Sequence, residues 1–287
     1  MAHWEFPGSE PIDVFIDLAA GRIVLAAEPT DVTTVEVTAS WSGPAARPLS
    51  EVQVSFADGR LEVIGPRRSG LWRGHAGLEA SITMPSGSCC MVRTASAGVS
   101  CTGELAELDV HTASGDVTAA TVTGGVDAQT ASGDIRLEQA GADADLRTAG
   151  GDIRLARAGG DVRVRTASGD VHIGAAAQSV TVLASSGDVR LSSVATGRVD
   201  VKTVSGDIVV GVATGVGVYL DLSSVTGSAT SQLDEAGTSD DVPLEVVCRA
   251  VSGDIRITKA SAGAFAPGRS FSASPSVNTP EAPPPAH

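Results

Sequence analysis

"QTASGDIRL" occupies residues 129–137, and nearly the same words return as "RTAGGDIRL" at 147–155 and "RTASGDVHI" at 165–173. The aspartates of these Gly-Asp words are Asp116, Asp134, Asp152, Asp170, Asp188 and Asp207, in steps of 18, 18, 18, 18 and 19 residues. A fixed step of this size marks a repeat architecture in which each unit stacks on its neighbour. Gly98 fills the same slot one step upstream. Ser228 and Asp254 continue the series downstream after longer steps of 21 and 26.

The residues around each slot alternate. The first and third after it are apolar: Ile135/Leu137, Ile153/Leu155, Val171/Ile173 and Val189/Leu191, with Arg136, Arg154, His172 and Arg190 between them. The eighth and sixth before it repeat the pattern: Leu108/Val110, Val126/Ala128, Ala144/Leu146, Val162/Val164 and Val180/Val182. Period-2 alternation is the mark of a strand with one buried face. Each repeat therefore holds two short strands, neither of which can bury its apolar face alone. The pattern predicts an all-β β-solenoid, parallel β-helix-like, with ~18-residue turns and two sheets facing each other across a thin aliphatic core. Nine such turns between Cys90 and Ile257 make a rod on the order of 40 Å long.

On this reading the Thr-Ala-Ser-Gly-Asp phrase is a corner. Gly115, Gly133, Gly151, Gly169, Gly187 and Gly206 are expected where the chain turns with positive φ, and the following Asp is expected to hydrogen-bond local backbone. Stacked carboxylates about 5 Å apart repel by about 1 kcal/mol in water. Arg136, Arg154, Arg190 and Arg256 lie two residues on and are expected to offset this. A calcium ladder is the competing reading of a Gly-Asp repeat; the arginines and the 18-residue step argue against it, so no metal is expected.

The first 85 residues also alternate but lack the regular step. "AGRIVL" and "DGRLEV" place Arg22 and Arg60 in the Asp slot, with Val14/Ile16 and Val52/Val54 upstream. Residues 1–85 read as an irregular N-terminal β cap or extension, 86–260 as the regular solenoid with an acidic loop at 230–243, and the Ser/Ala/Pro-rich 261–287 as a disordered tail. The solenoid ends are where self-association is expected.

Composition limits the partners. Aromatics are 3% of the chain and the formal charge is −14, which argues against nucleic acid, whose binding needs a dense basic face. No run approaches ~18 uninterrupted apolar residues, so no membrane insertion is expected. The N-terminus shows no secretory signal, and four cysteines form neither a disulfide framework nor a C-x-x-C zinc pair. A reduced, cytoplasmic setting follows as the expectation. His111 and His172, the histidines of the regular repeats, sit at outward slots with no Ser-His-Asp arrangement. Cys90, Cys101 and Cys248 fall at inward positions. No catalytic residue and no cofactor site is identified, and the chain reads as no enzyme. The most surface-active stretch is "GPRRSGLWRGH" at 65–75. Arg67, Arg68, Trp72 and Arg73 there have the composition of a protein-recognition hot spot and are the candidate partner-binding residues.

The "TASGDV/I-x-L" turns, the opening "PIDVFIDLAAGRIVLAA", the loop "DGRLEVIGPRRSGLWRG" and the strand "ITMPSGS" together resemble DUF4097, a family of β-strand-repeat proteins labelled "putative adhesin", from about residue 11 to 260. The resemblance implies a β-solenoid and carries over no catalytic residue. The leading expectation is a non-enzymatic scaffold or protein-interaction module. A cell-surface adhesin exported by another route is the alternative. A β-helical carbohydrate-active enzyme stands third, disfavoured because no aromatic residue occurs between Trp72 and Tyr219.

Overall fold

Alternating β-branched and small residues give the chain strands with one apolar edge, and the computed structural model shows how these edges meet. It describes residues 1–39, 49–66, 77–233 and 244–260. They form 25 strands in two sheets, of 13 and 12 strands, with one short 3-10 turn at Leu49–Glu51. One coil serves as the pattern. Glu107–His111 lies in the 12-stranded sheet, a corner follows, Val117–Val122 lies in the 13-stranded sheet, and a second corner leads to Val126–Gln129. The alternation reads correctly: Leu108, Val110, Val117, Ala119, Ile153 and Leu155 are buried, and identical slots stack in parallel register, Ile135 on Ile153 and Leu137 on Leu155. Burying each large aliphatic side chain contributes roughly 1.5–3 kcal/mol.

The corners tie coil to coil. The Asp134 N–H donates to Oδ1 of Asp116 at 2.9 Å, and the Asp152 N–H to Oδ1 of Asp134 at 2.8 Å. The chain of bonds runs on through Asp170, Asp188, Asp207 and Asp254 to Ser228. The threonine of the phrase has its own task. Oγ1 of Thr130 accepts from the Gly133 N–H at 3.0 Å and donates to the Gly115 carbonyl at 3.3 Å. Arg136, Arg154 and Arg256 pair with Asp134, Asp152 and Asp254 at 2.6, 3.0 and 2.9 Å. Arg190 pairs with no carboxylate among the described residues; it faces His172, whose pKa is lowered by burial and by Arg190 and Arg154.

The glycine expectation needs correction. Gly169, Gly187 and Gly206 have φ of 125°, 118° and 132°, but Gly115, Gly133 and Gly151 lie outside the left-handed range. What all six share is crowding: a Cβ on Gly133 would stand 2.0 Å from the Gly115 carbonyl oxygen. Close approach of the neighbouring coil, more than dihedral freedom, demands glycine here.

The stacking order departs from chain order at both ends. The coil of Leu244–Ser252 and Ile255–Lys259 inserts beside Arg198–Ser205 and Ile208–Val212, and pushes the earlier coil of Val218–Thr226 and Ala229–Ser231 to the outside. Composition explains the exchange. The inserted coil brings Ile255 and Ile257 to the slots where the outer coil has Ala229 and Ser231, so the more apolar coil takes the buried level. Ala229–Ser231 also corrects the acidic loop expected at 230–243: Thr230 and Ser231 pair with Arg256 and Ile257, and residues 234–243 lie outside the described residues, as do 261–287.

At the other end, Asp13–Leu18 and Gly21–Glu28 form a coil directly against Cys89–Thr94 and Gly98–Leu105. Arg60–Ile64 and Leu78–Pro85 stack outside it. Arg22 faces Gly98, as its slot requires, but Arg60 pairs with Asp13 in the opposite sheet, and Glu79 takes the slot. The cause is local: Asp58 and Gly59, with φ of 51° and 75°, make a tight hairpin joining Gln53–Ala57 to Arg60–Ile64, as paired positive-φ residues do. Antiparallel Ala2–Pro7 and Val32–Ala39 extend the 13-stranded sheet, and Phe6 stacks on Phe56 at 5.0 Å across this end.

Candidate interaction groove

The 12-stranded sheet turns its outer face to solvent, and parallel register writes side chains there in columns. Phe15, Met91, Asp109, Asp127 and Asp145 follow one another on successive strands, and Arg163 comes next. Beside them run Asp13, Cys89 and Glu107. Together they line a groove of about 600 Å³ at the junction of the N-terminal coils and the regular rod. Its floor is apolar: Phe15 is half-buried and Met91 is 37% exposed. The guanidiniums of Arg60 and Arg93 lie 6.0 and 5.9 Å from the Phe15 ring centre, within range of a cation–π contact.

The walls are acidic. Six carboxylates and two arginines line the groove, a formal excess of four negative charges. Both arginines are engaged: Arg60 meets Glu62 at 3.0 Å, and Arg163 meets Asp161 at 3.5 Å and Asp143 at 3.9 Å. Asp145 pairs with Arg147, Asp109 lies 2.9 Å from Nε2 of His111, and Asp127 accepts from Gln129 at 3.1 Å. Oδ1 of Asp145 is shielded from solvent with no hydrogen-bond partner among the described residues, whereas the shielded Oδ1 of Asp109 is the atom beside the His111 ring. The neighbouring column, His111, Gln129, Arg147 and Arg165, turns basic, so the face carries an acidic and a basic stripe along the rod axis.

Cys89 is half-buried in the groove. Burial, then Glu107 and Asp13, raise its pKa, which keeps it a thiol and argues against a nucleophilic role. The other three cysteines are buried, as their inward positions predict, and burial pushes Cys101 and Cys248 up to about 12. His111 and His172 lie on different sheets, so they form no shared site.

Arg67, Arg68, Trp72 and Arg73 lie outside the described residues. The backbone on either side is anchored at one corner: the Gly65 N–H donates to Asp17 O at 2.8 Å and the Leu78 N–H to Ala20 O at 3.0 Å. The groove itself was missed in the sequence, although its signal is there. Phe15, Met91, Asp109, Asp127 and Asp145 all stand seven residues before a slot. This outward position differs from the slots and inward positions that define the repeat. A second hydrogen-bonded ladder was missed likewise: the N–H of Asp161 donates to Asp143 at 2.9 Å, that of Ser179 to Asp161 at 3.2 Å and that of Arg198 to Ser179 at 3.2 Å.

Comparison with known proteins gives the family. No curated protein matches the chain. Among solved structures, a "putative adhesin" from Bacteroides fragilis is 15% identical, covers 89% of this chain and 96% of its own, and has a TM-score of 0.49. A "putative lipid binding protein" from Parabacteroides distasonis is 10% identical over 90% of this chain and 96% of its own, with a TM-score of 0.42. A family model described as Toastrack DUF4097 matches residues 13–261. The motif, the two-sheet coil and this match agree, and the chain belongs to the Toastrack DUF4097 family.

Proposed function

We propose that the protein is a non-enzymatic, cytoplasmic β-solenoid scaffold that holds a protein partner. The observation that carries this reading is the groove over Phe15 and Met91. It presents an accessible apolar floor on a frame whose backbone is tied coil to coil at both corners. Such a frame holds outward side chains in fixed columns, which suits recognition of a partner's surface. The segment bearing Arg67, Arg68, Trp72 and Arg73 is proposed as an additional contact. Its anchor at Asp17 stands two residues along the strand from Phe15.

The test pairs fractionation of native host cells with a pull-down by wild-type protein, the Met91→Ser variant, and the Trp72→Ala/Arg68→Ala double variant. The scaffold reading expects protein inside protease-treated intact cells and a partner that Met91→Ser loses without a change in melting curve. Full retention of every partner by Met91→Ser would refute the groove as the site. Protein digested on the surface of intact cells would support the exported adhesin instead.

A further inference from the structure

We infer that the groove receives an extended cationic segment of the partner, with an apolar side chain on the Phe15–Met91 floor and basic groups along the Asp109–Asp127–Asp145 column. The inference rests on the scaffold reading and adds the chemistry of the partner. Charge complementarity selects the occupant. Asp13, Glu107 and Asp127 meet no side-chain cation among the described residues, and the two arginines of the groove are held by Glu62, Asp143 and Asp161. An anionic occupant would add to the excess negative charge; a neutral one would leave Asp13, Glu107 and Asp127 without a cation.

Geometry selects an extended form. The acidic column runs along the rod, across the strands, with one carboxylate per coil. Adjacent strands are about 4.8 Å apart, so Asp109 and Asp145 are separated by about 10 Å along the axis. A polyproline-II segment advances about 9 Å in three residues and returns the same side to the surface. Basic residues at every third position would therefore stay in step with alternate carboxylates. The apolar anchor then precedes or follows the basic run, because Met91 and Phe15 continue the same column toward the N-terminal coils.

The experiment uses the full chain and a fluorescein-labelled, proline-rich peptide with Arg at every third position and a terminal Leu. A second peptide replaces Arg with Glu. Binding is read by anisotropy, and occupancy of the groove by the rate at which N-ethylmaleimide alkylates Cys89, the one cysteine that is not buried. The Arg peptide is expected to bind, more weakly as salt rises, and to slow Cys89 alkylation several-fold at saturation. The Glu peptide is expected to do neither. Glu107→Lys/Asp127→Lys is expected to weaken binding by about tenfold or more, and Glu107→Gln/Asp127→Asn serves the same purpose if the reversed charges disturb folding. Equal binding by these variants, or unchanged alkylation at saturation, would overturn the inference. So would failure of the Arg peptide to bind. If that failure coincides with a Met91-dependent partner in the pull-down, the scaffold reading stands and only the chemistry assigned to its partner falls.

Discussion

Residues in and beside the repeated Thr-Ala-Ser-Gly-Asp phrase answer to different constraints, and the constraints predict different costs. Leu155 is fully buried, whereas the Arg154 side chain is 47% exposed. Leu155→Ala is expected to cost about 2–5 kcal/mol and Arg154→Ala under about 1 kcal/mol, both read from denaturant melts; equal small losses would contradict the inward and outward assignment. Asp134 accepts the next coil's N–H and the Arg136 guanidinium, and the amide first and the guanidinium after it hold its pKa below the usual carboxylate value. A lowered folded pKa contributes stability that is present above the unfolded value, about 3.9, and is lost as pH falls through the folded pKa. Asp134→Ala is therefore expected to lose about 1 kcal/mol at neutral pH, and less in acid where the wild-type carboxylate is itself protonated. A loss that grows below pH ~4 would reverse the sign of this account.

Corners as well as strands decide what an element tolerates. A Cβ on Gly151 would stand 1.9 Å from the Gly133 carbonyl oxygen, so Gly151→Ala must push two coils apart although its φ is not left-handed. A loss of about 1–3 kcal/mol is expected, checked by thermal and urea melts; a gain would contradict the crowding at this corner. The strands themselves were legible because burial enforces period 2, and Ile153, Leu155, Val162 and Val164 all read correctly. The hairpin at Asp58–Gly59 was less legible. "DGRLEV" satisfies the repeat's alternation while its turn reverses the chain, and turn chemistry won over spacing at Arg60.

At the scale of the molecule, period alone does not specify neighbourhood. The slots at Ser228 and Asp254 are in register as the sequence implies, but the coils holding them exchange places, and nothing in an 18-residue step encodes which coil lies outermost. The groove shows the same division: its column is periodic in sequence, while its depth depends on the N-terminal coil of Asp13–Leu18 docking beside Cys89–Thr94. The outer coil leaves Leu220 and Leu222 half-buried, and Val204, Val251 and Val225 stand outward on three successive levels at 55%, 49% and 73% exposure. These valines permit a direct measurement of the interleaved solenoid. In-register neighbours stand about 5 Å apart and suit a disulfide, whereas two levels span about 10 Å, beyond its reach. Under mild oxidation, peptide mapping by mass spectrometry is predicted to find the Val204→Cys/Val251→Cys pair crosslinked and the Val204→Cys/Val225→Cys pair open; efficient crosslinking of the second pair and not the first would mean that the coils stack in chain order and would contradict the account.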